Sequence, residues 1–137
     1  FDSDRLDALA DFLRELPITI VIDHMGRPDA SFGLDQAAFA ELAALVADDD
    51  KFWVKVSGCE RITREGPPYA DAAPFARHLV ALIPERVLWG TDFPHPNIRP
   101  PIPDDGALVD LIADFAPRPE QRRALLVDNP TRLYWND

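Results

Sequence analysis

A single cysteine, Cys59, stands in 137 residues, so no internal disulfide braces the fold, and that usage suits a reducing, cytoplasmic setting. No apolar run approaches the roughly 18 residues of a membrane span. The opening Phe1-Asp2-Ser3-Asp4 has neither the basic start nor the apolar stretch of a secretory leader. Basic side chains are scarce: 14 Lys and Arg against 24 Asp and Glu give a net charge of −10. That balance argues against nucleic acid or an anionic membrane as a partner. No Gly-x-Gly-x-x-Gly follows any predicted strand, which counts against a dinucleotide fold. An initiating methionine is missing too, and the chain opens at what reads as a helix cap, so a segment of something longer is expected.

What is present is a core-forming composition, 47% hydrophobic, enough for a single domain over 1–137 with no linker and no internal repeat. Ser3 or Asp4 is expected to cap a helix with Leu6, Leu9, Phe12 and Leu13 on its apolar face, stopped by Pro17. A strand over 18–22 follows at once. Asp35 then caps a helix presenting Phe39, Leu42, Leu45 and Val46. A second strand is expected over 52–57, and a loop over 58–68 carries Arg61 and Arg64. Asp71 opens a third helix with Phe75, Leu79 and Leu82 inward, and a third strand spans 86–90. After a proline-rich loop, Asp104 and Asp105 cap a helix with Leu108, Leu111, Ile112 and Phe115. A last helix starts near Pro119, and Asn129-Pro130 opens a terminal turn. Helices alternating with apolar strands are the pattern of a parallel α/β fold.

Two of those strands end alike. Ile18-Thr19-Ile20-Val21-Ile22 runs into Asp23-His24, and Val87-Leu88-Trp89-Gly90 runs into Thr91-Asp92, with His95 three residues on. Near-continuous apolar strands that stop at chemistry suit a buried parallel sheet whose C-terminal strand ends carry a site. Asp92 reads as a general base or a metal ligand, against a plain role capping a loop. His24 reads as its partner. Arg27 and Arg61 each follow a strand end, where planar guanidiniums grip carboxylates two-pronged, so the expected partner is a small anionic carboxylate substrate. His95 lies in the same loop region, His78 is expected to be solvated in mid-helix, and no activating base adjoins Cys59. Lys55 and Ser57 alternate on one face of the second strand, and which face points inward is left open.

The words Ile22-Asp23-His24-Met25-Gly26-Arg27, Val54-Lys55-Val56-Ser57-Gly58, Pro67-Pro68-Tyr69-Ala70-Asp71 and Val87-Leu88-Trp89-Gly90-Thr91-Asp92-Phe93-Pro94-His95-Pro96-Asn97 occur in that order. Pro103-Asp104-Asp105-Gly106 and Asp128-Asn129-Pro130-Thr131-Arg132-Leu133-Tyr134 continue the series. From about Ile18 onward the chain resembles the amidohydrolase-related family of the amidohydrolase superfamily, and within it the lactonase group. The resemblance implies the C-terminal half of a distorted (β/α)₈ TIM barrel. Its first half would carry a His-x-His pair, and none of the three histidines here forms one.

The same resemblance implies a hydrolase that opens a cyclic ester of a dicarboxylate from aromatic breakdown, such as 2-pyrone-4,6-dicarboxylate. Asp92 would activate water and His24 would polarise the carbonyl. Arg27 and Arg61 would hold substrate carboxylates, with His95 and Asn97 lining the pocket. No cofactor is implied for this group. The alternative is a metal-dependent hydrolase or decarboxylase of the superfamily, using zinc or manganese on His24 and Asp92. A sugar-lactone hydrolase fits the arginine pair less well, because sugar lactones carry no carboxylates. The non-enzymatic alternative is an inactive half-barrel that acts only by assembly, self-associating through exposed strand edges.

Overall fold

The computed structural model describes residues 5–135. Among them, three short parallel strands, β1 (Ile20–Ile22), β2 (Phe52–Lys55) and β3 (Val87–Leu88), form one sheet in the order β1-β2-β3. Ile20 pairs with Phe52 and Ile22 with Val54, while Val54 also pairs with Val87. Helix α1 (Leu6–Glu15) precedes the sheet and α2 (Ala37–Asp48) leads from β1 to β2. The β2 to β3 connection holds the single-turn α3 (Cys59–Ile62) and then α4 (Ala73–Leu82). Beyond β3 a long loop reaches α5 (Asp105–Asp110) and α6 (Ile112–Phe115). The chain closes with α7 (Pro119–Arg123), a π-helical turn over Ala124–Asp128, and α8 (Asn129–Tyr134).

The middle strand explains the unbroken apolar runs: Phe52, Trp53 and Val54 are all buried, so both faces of β2 are covered and no polar alternation survives. Its neighbours are held by side chains that satisfy buried carbonyls. Arg86 Nη1 donates to the carbonyls of Val46 and Phe52 at 2.8 Å, stapling the end of α2 beside the sheet. Buried Asn129 donates to Pro84 and Val87 at 2.9 and 2.8 Å, tying α8 beneath β3. Phe39 of α2 meets Phe75 of α4 edge to face, ring centroids 4.8 Å apart. Each such fully buried aromatic or leucine contributes about 1.5–3 kcal/mol of apolar burial.

Several sequence expectations change. All three strands are shorter than expected, and β3 stops at Leu88, so Asp92 lies in irregular chain and not at the next inward position of a strand. Phe12 is exposed, at 59%, although Leu6 on the same face is buried. Ser3 and Asp4 lie outside the described residues. Asp35 does not cap α2: Gln36 takes that position, and its side chain donates to the carbonyls of Asp29 and Gly33. Asp71 does not cap α4 either, because its carboxylate accepts from Thr63 Oγ1 and the Arg64 amide. Leu82 is 39% exposed and does not join the core. Asp104 does cap α5, accepting from the Ala107 amide at 2.9 Å. His78 is exposed, as expected, and lies edge-on to Phe39.

Candidate functional site

Past β1 the backbone turns sharply through His24, Met25, Gly26 and Arg27, all with positive φ. Three of these are not glycine, an unusual run that costs backbone energy and is held by its surroundings. Met25, fully buried, plugs the core beneath the turn. That leaves His24 directed toward the sheet, where its Nδ1 lies 3.0 Å from Ser57 Oγ. Gly58 makes room for the ring: a Cβ on it would come within 2.8 Å of His24 Nδ1.

On its other side, His24 Nε2 lies 3.5 Å from Asp92 Oδ1, so residues from opposite edges of the sheet meet across β2. A Ser57 hydroxyl that donates to Nδ1 leaves the proton of a neutral ring on Nε2, the nitrogen that faces Asp92. Burial pushes the imidazole below its usual titration range, against the opposing pull of Asp92 and Asp23. His24 is therefore favoured as a neutral ring with one N–H to offer.

Asp92 sits at φ 67, again left-handed. Arg61 fastens it: Nε donates to Oδ2 at 2.5 Å, and Nη2 contacts the same oxygen. The Arg61 Nη2 also donates to the Pro96 carbonyl at 3.0 Å. Lys55 is paired with Asp23 at 2.6 Å, which supplies the partner a half-buried lysine needs. Lys55 and Ser57 thus both engage the residues of the β1 turn, Lys55 through Asp23 and Ser57 through His24.

Two clefts adjoin this centre. One, of about 250 Å³, is lined by Val21, Ile22, Asp23, His24 and Arg27. The other, of about 260 Å³, is lined by Arg27, Pro28, Asp29, Arg61, Ile62 and Arg64. Arg27 is exposed and borders both. Arg64 is engaged by Asp29, with Nε and Nη2 at 3.1 and 2.5 Å. The hydrogen bonds from Arg64 and Ser31 hold the Asp29 carboxyl well below the usual carboxylate range. Cys59 is buried, and burial drives its thiol up to about 12, which removes it as a nucleophile.

Of the six residues marked in the sequence, the structure brings His24, Asp92 and Arg61 into direct contact and sets Arg27 on the rim. Asn97 is exposed on the loop after Asp92, also at positive φ. His95 is placed differently from the lining position expected of it. At 3% exposure it lies beneath the loop, its Nε2 3.2 Å from Asp105 Oδ1 and its Nδ1 3.7 Å from Glu60 Oε1.

The sequence pattern does not mark Glu60, offers Asp105 only as a helix cap and leaves Ser57 undecided. Ser57-Gly58 directly after an apolar strand was the one available signal. Glu60 carries no such mark, because its neighbours in sequence do not show that its side chain turns inward.

Three parallel strands flanked by helices, with a histidine, an aspartate and two arginines in the segments that follow them, match about half of a TIM-barrel amidohydrolase. The chain belongs to the amidohydrolase family, whose model matches residues 1–135. It is 48% identical to the 2-pyrone-4,6-dicarboxylate hydrolase of Comamonas testosteroni, over 98% of this chain and 47% of that protein. It is 46% identical to the 4-sulfomuconolactone hydrolase of Hydrogenophaga intermedia, over 98% of this chain and 45% of that protein. An Agrobacterium tumefaciens protein solved in its apo form superposes with a TM-score of 0.85 at 33% identity, over the whole of this chain and 49% of that one. The chain spans about half the length of the curated relatives it matches.

Proposed function

We propose that this chain supplies the water-activating half of a lactonase site, in a longer barrel that opens a cyclic ester of a dicarboxylate such as 2-pyrone-4,6-dicarboxylate. The observation that carries the reading is the 3.5 Å approach of His24 Nε2 to Asp92 Oδ1 between β1 and β3, with Arg61 against Asp92 and Arg27 beside them. The two relatives named above, a 2-pyrone-4,6-dicarboxylate hydrolase and a 4-sulfomuconolactone hydrolase, support the substrate class.

In this reading a water seated at Asp92 gives its proton to the carboxylate as its oxygen bonds to the lactone carbonyl carbon. The N–H of His24 donates to the oxygen that gains negative charge. Collapse breaks the ring C–O bond, and the proton held by Asp92 passes to the departing ring oxygen. Arg27 holds a substrate carboxylate from the rim, and Arg61 serves Asp92 and a substrate carboxylate beside it. Asn97 is a further polar contact from the same loop.

In the full-length enzyme, Asp92→Asn is expected to lower hydrolysis of 2-pyrone-4,6-dicarboxylate by roughly 10²–10⁴-fold, the range for a lost general base. A variant working within twofold of the parent sinks the assignment. The 137-residue chain by itself is expected to show little or no turnover, because the rest of the barrel would supply the other carbonyl-polarising groups. Turnover near that of a whole enzyme refutes this.

One observation favours a metal-dependent second reading: ligand atoms of Glu60, Asp92 and His95 lie within 4.8 Å of one another. Two oxygens and an imidazole suit zinc or manganese. Against it stands Arg61, whose fixed positive charge already occupies the edge of that cluster. Zinc or manganese in stoichiometric amounts that tracks with activity would decide for this reading.

A further inference from the structure

We propose that buried Glu60 and His95, with the half-exposed Asp105, form a positioning unit that sets the Asp92 carboxylate at its distance from His24. This rests on the reading of Asp92 as the base and adds three residues that touch no substrate.

The loop after β3 is the segment that needs a restraint. Its backbone is left-handed at Asp92, His95 and Asn97, so it is not a shape the chain adopts without restraint. Packing does not restrain most of it: Phe93 is 76% exposed, and Pro94, Pro96 and Asn97 are exposed as well. His95 is the one buried residue between 93 and 97. Its amide closes the turn by donating to the Asp92 carbonyl at 2.7 Å. Whatever holds the His95 ring therefore holds the turn that begins at Asp92.

Two carboxylates face that ring from opposite sides. Asp105, the first residue of α5, lies 3.2 Å from Nε2. Glu60 lies 3.7 Å from Nδ1 with its side chain only 2% exposed, and among the described residues neither of its oxygens has a hydrogen-bond partner. A buried carboxylate without partners is costly, and the group that faces it is an imidazole edge whose Nδ1 likewise has no hydrogen-bond partner among the described residues.

The support is local in sequence. Glu60 and Arg61 are consecutive residues of the single-turn α3 and engage the two ends of one turn. Arg61 takes the Asp92 carboxylate and the Pro96 carbonyl, and Glu60 faces His95. A short helix fixed by buried Cys59 and Ile62 thus acts as the jaw of a clamp, with Asp105 as its outer stop. A base displaced by about 1 Å can lose on the order of 10²-fold in rate, which is the leverage such a clamp has.

The test uses the full-length enzyme and near-isosteric changes, Glu60→Gln and Asp105→Asn, with Asp92→Asn alongside. Each of the first two is expected to lower kcat by 10- to 100-fold while KM stays within twofold. A crystal structure of Glu60→Gln should show Asp92 Oδ1 moved away from His24 Nε2. His95→Gln, which keeps a polar group but spans the gap poorly, should lose at least as much as Glu60→Gln.

Unchanged kcat in the folded Glu60→Gln and Asp105→Asn variants overturns the proposal. So does a rise in KM at constant kcat for His95→Gln, which would make His95 a substrate contact. If Asp92→Asn loses activity and the others do not, the clamp alone has failed. If Asp92→Asn retains the parent rate, the base assignment and the clamp fall together.

Discussion

The turns that leave β1 and β3 are built from the same residue types and place them in opposite positions. After β1 the histidine, His24, reaches the centre of the site, while the acid, Asp23, is spent on Lys55. After β3 the acid, Asp92, reaches the centre, while the histidine, His95, is buried beneath the loop. Both turns run through left-handed non-glycine residues, and both are restrained from β2 and the segment after it: Ser57 and Gly58 on one side, Glu60 and Arg61 on the other. The difference teaches that an acid and a histidine at a strand end do not assign themselves. Their neighbours across the sheet decide which one is presented and which one becomes structure.

The largest expected effect would break that asymmetry directly. Asp92→Asn should cost roughly 10²–10⁴-fold in lactone hydrolysis. The matching change in the other turn, Asp23→Asn, should cost less than about threefold, because it removes a partly exposed ion pair of the kind that contributes roughly 0–1 kcal/mol. Equal losses in steady-state kinetics of the two variants would show that the turns are not in exchanged roles.

Gly58→Ala comes next. Its φ of +75 and the 2.8 Å approach of the added Cβ to His24 Nδ1 mean that backbone and ring cannot both stay in place. A stability loss of about 1–3 kcal/mol is expected, the usual cost of forcing a side chain into such backbone. The urea midpoint of the chain measures it, and an unshifted midpoint would deny that Gly58 is what admits His24. Ser57→Ala is milder: one hydrogen bond, typically about 0.5–1.5 kcal/mol, leaves a buried site, and the ring loses its tautomer-setting partner. Catalysis by this variant should fall by less than in Asp92→Asn, with the shortfall in kcat.

The smallest effect is on pH dependence, and it separates the two turns by sign. Burial holds His24 below its usual 6.5, so between that lowered value and 6.5 the unfolded chain binds a proton the folded chain refuses. Stability therefore falls as pH drops through this window. Burial raises Glu60 above its usual 4.5, so there the folded chain keeps a proton the unfolded chain releases. That contribution is present at low pH and is lost as pH rises through the raised value. Melting temperatures across pH 4 to 8 should lose the first slope in His24→Asn and the second in Glu60→Gln; retention of both slopes in both variants would place the origin elsewhere.

Much of this was legible in the chain. Apolar runs marked the three strands because a sheet covered on both faces leaves no polar alternation to obscure them. The words around His24 and Asp92 pointed to the family, and the Asp104 cap followed from its place before Ala107. Other features escaped for definable reasons. Asp35 and Asp71 look like caps, but caps depend on where the backbone enters the helix: Gln36 stands at the start of α2, and the Asp71 carboxylate is taken up by Thr63 and the Arg64 amide. The burial of Glu60 and His95 could not be read from neighbours, since α3 is a single turn with no periodicity to interpret.

By itself the amino-acid order determined the alternation of helix and strand, the apolar content of the core, and which side chains with useful chemistry would leave strand ends. These are properties of residue type and local spacing, which a linear pattern records in full. Only the tertiary structure decided that His24 and Asp92 would meet at 3.5 Å, that Arg61 would lie against Asp92, and that His95 would lie under its loop. Those outcomes depend on distances between residues more than 30 positions apart, set by the register of three parallel strands and by which groups burial leaves without water. No periodicity in the sequence encodes them.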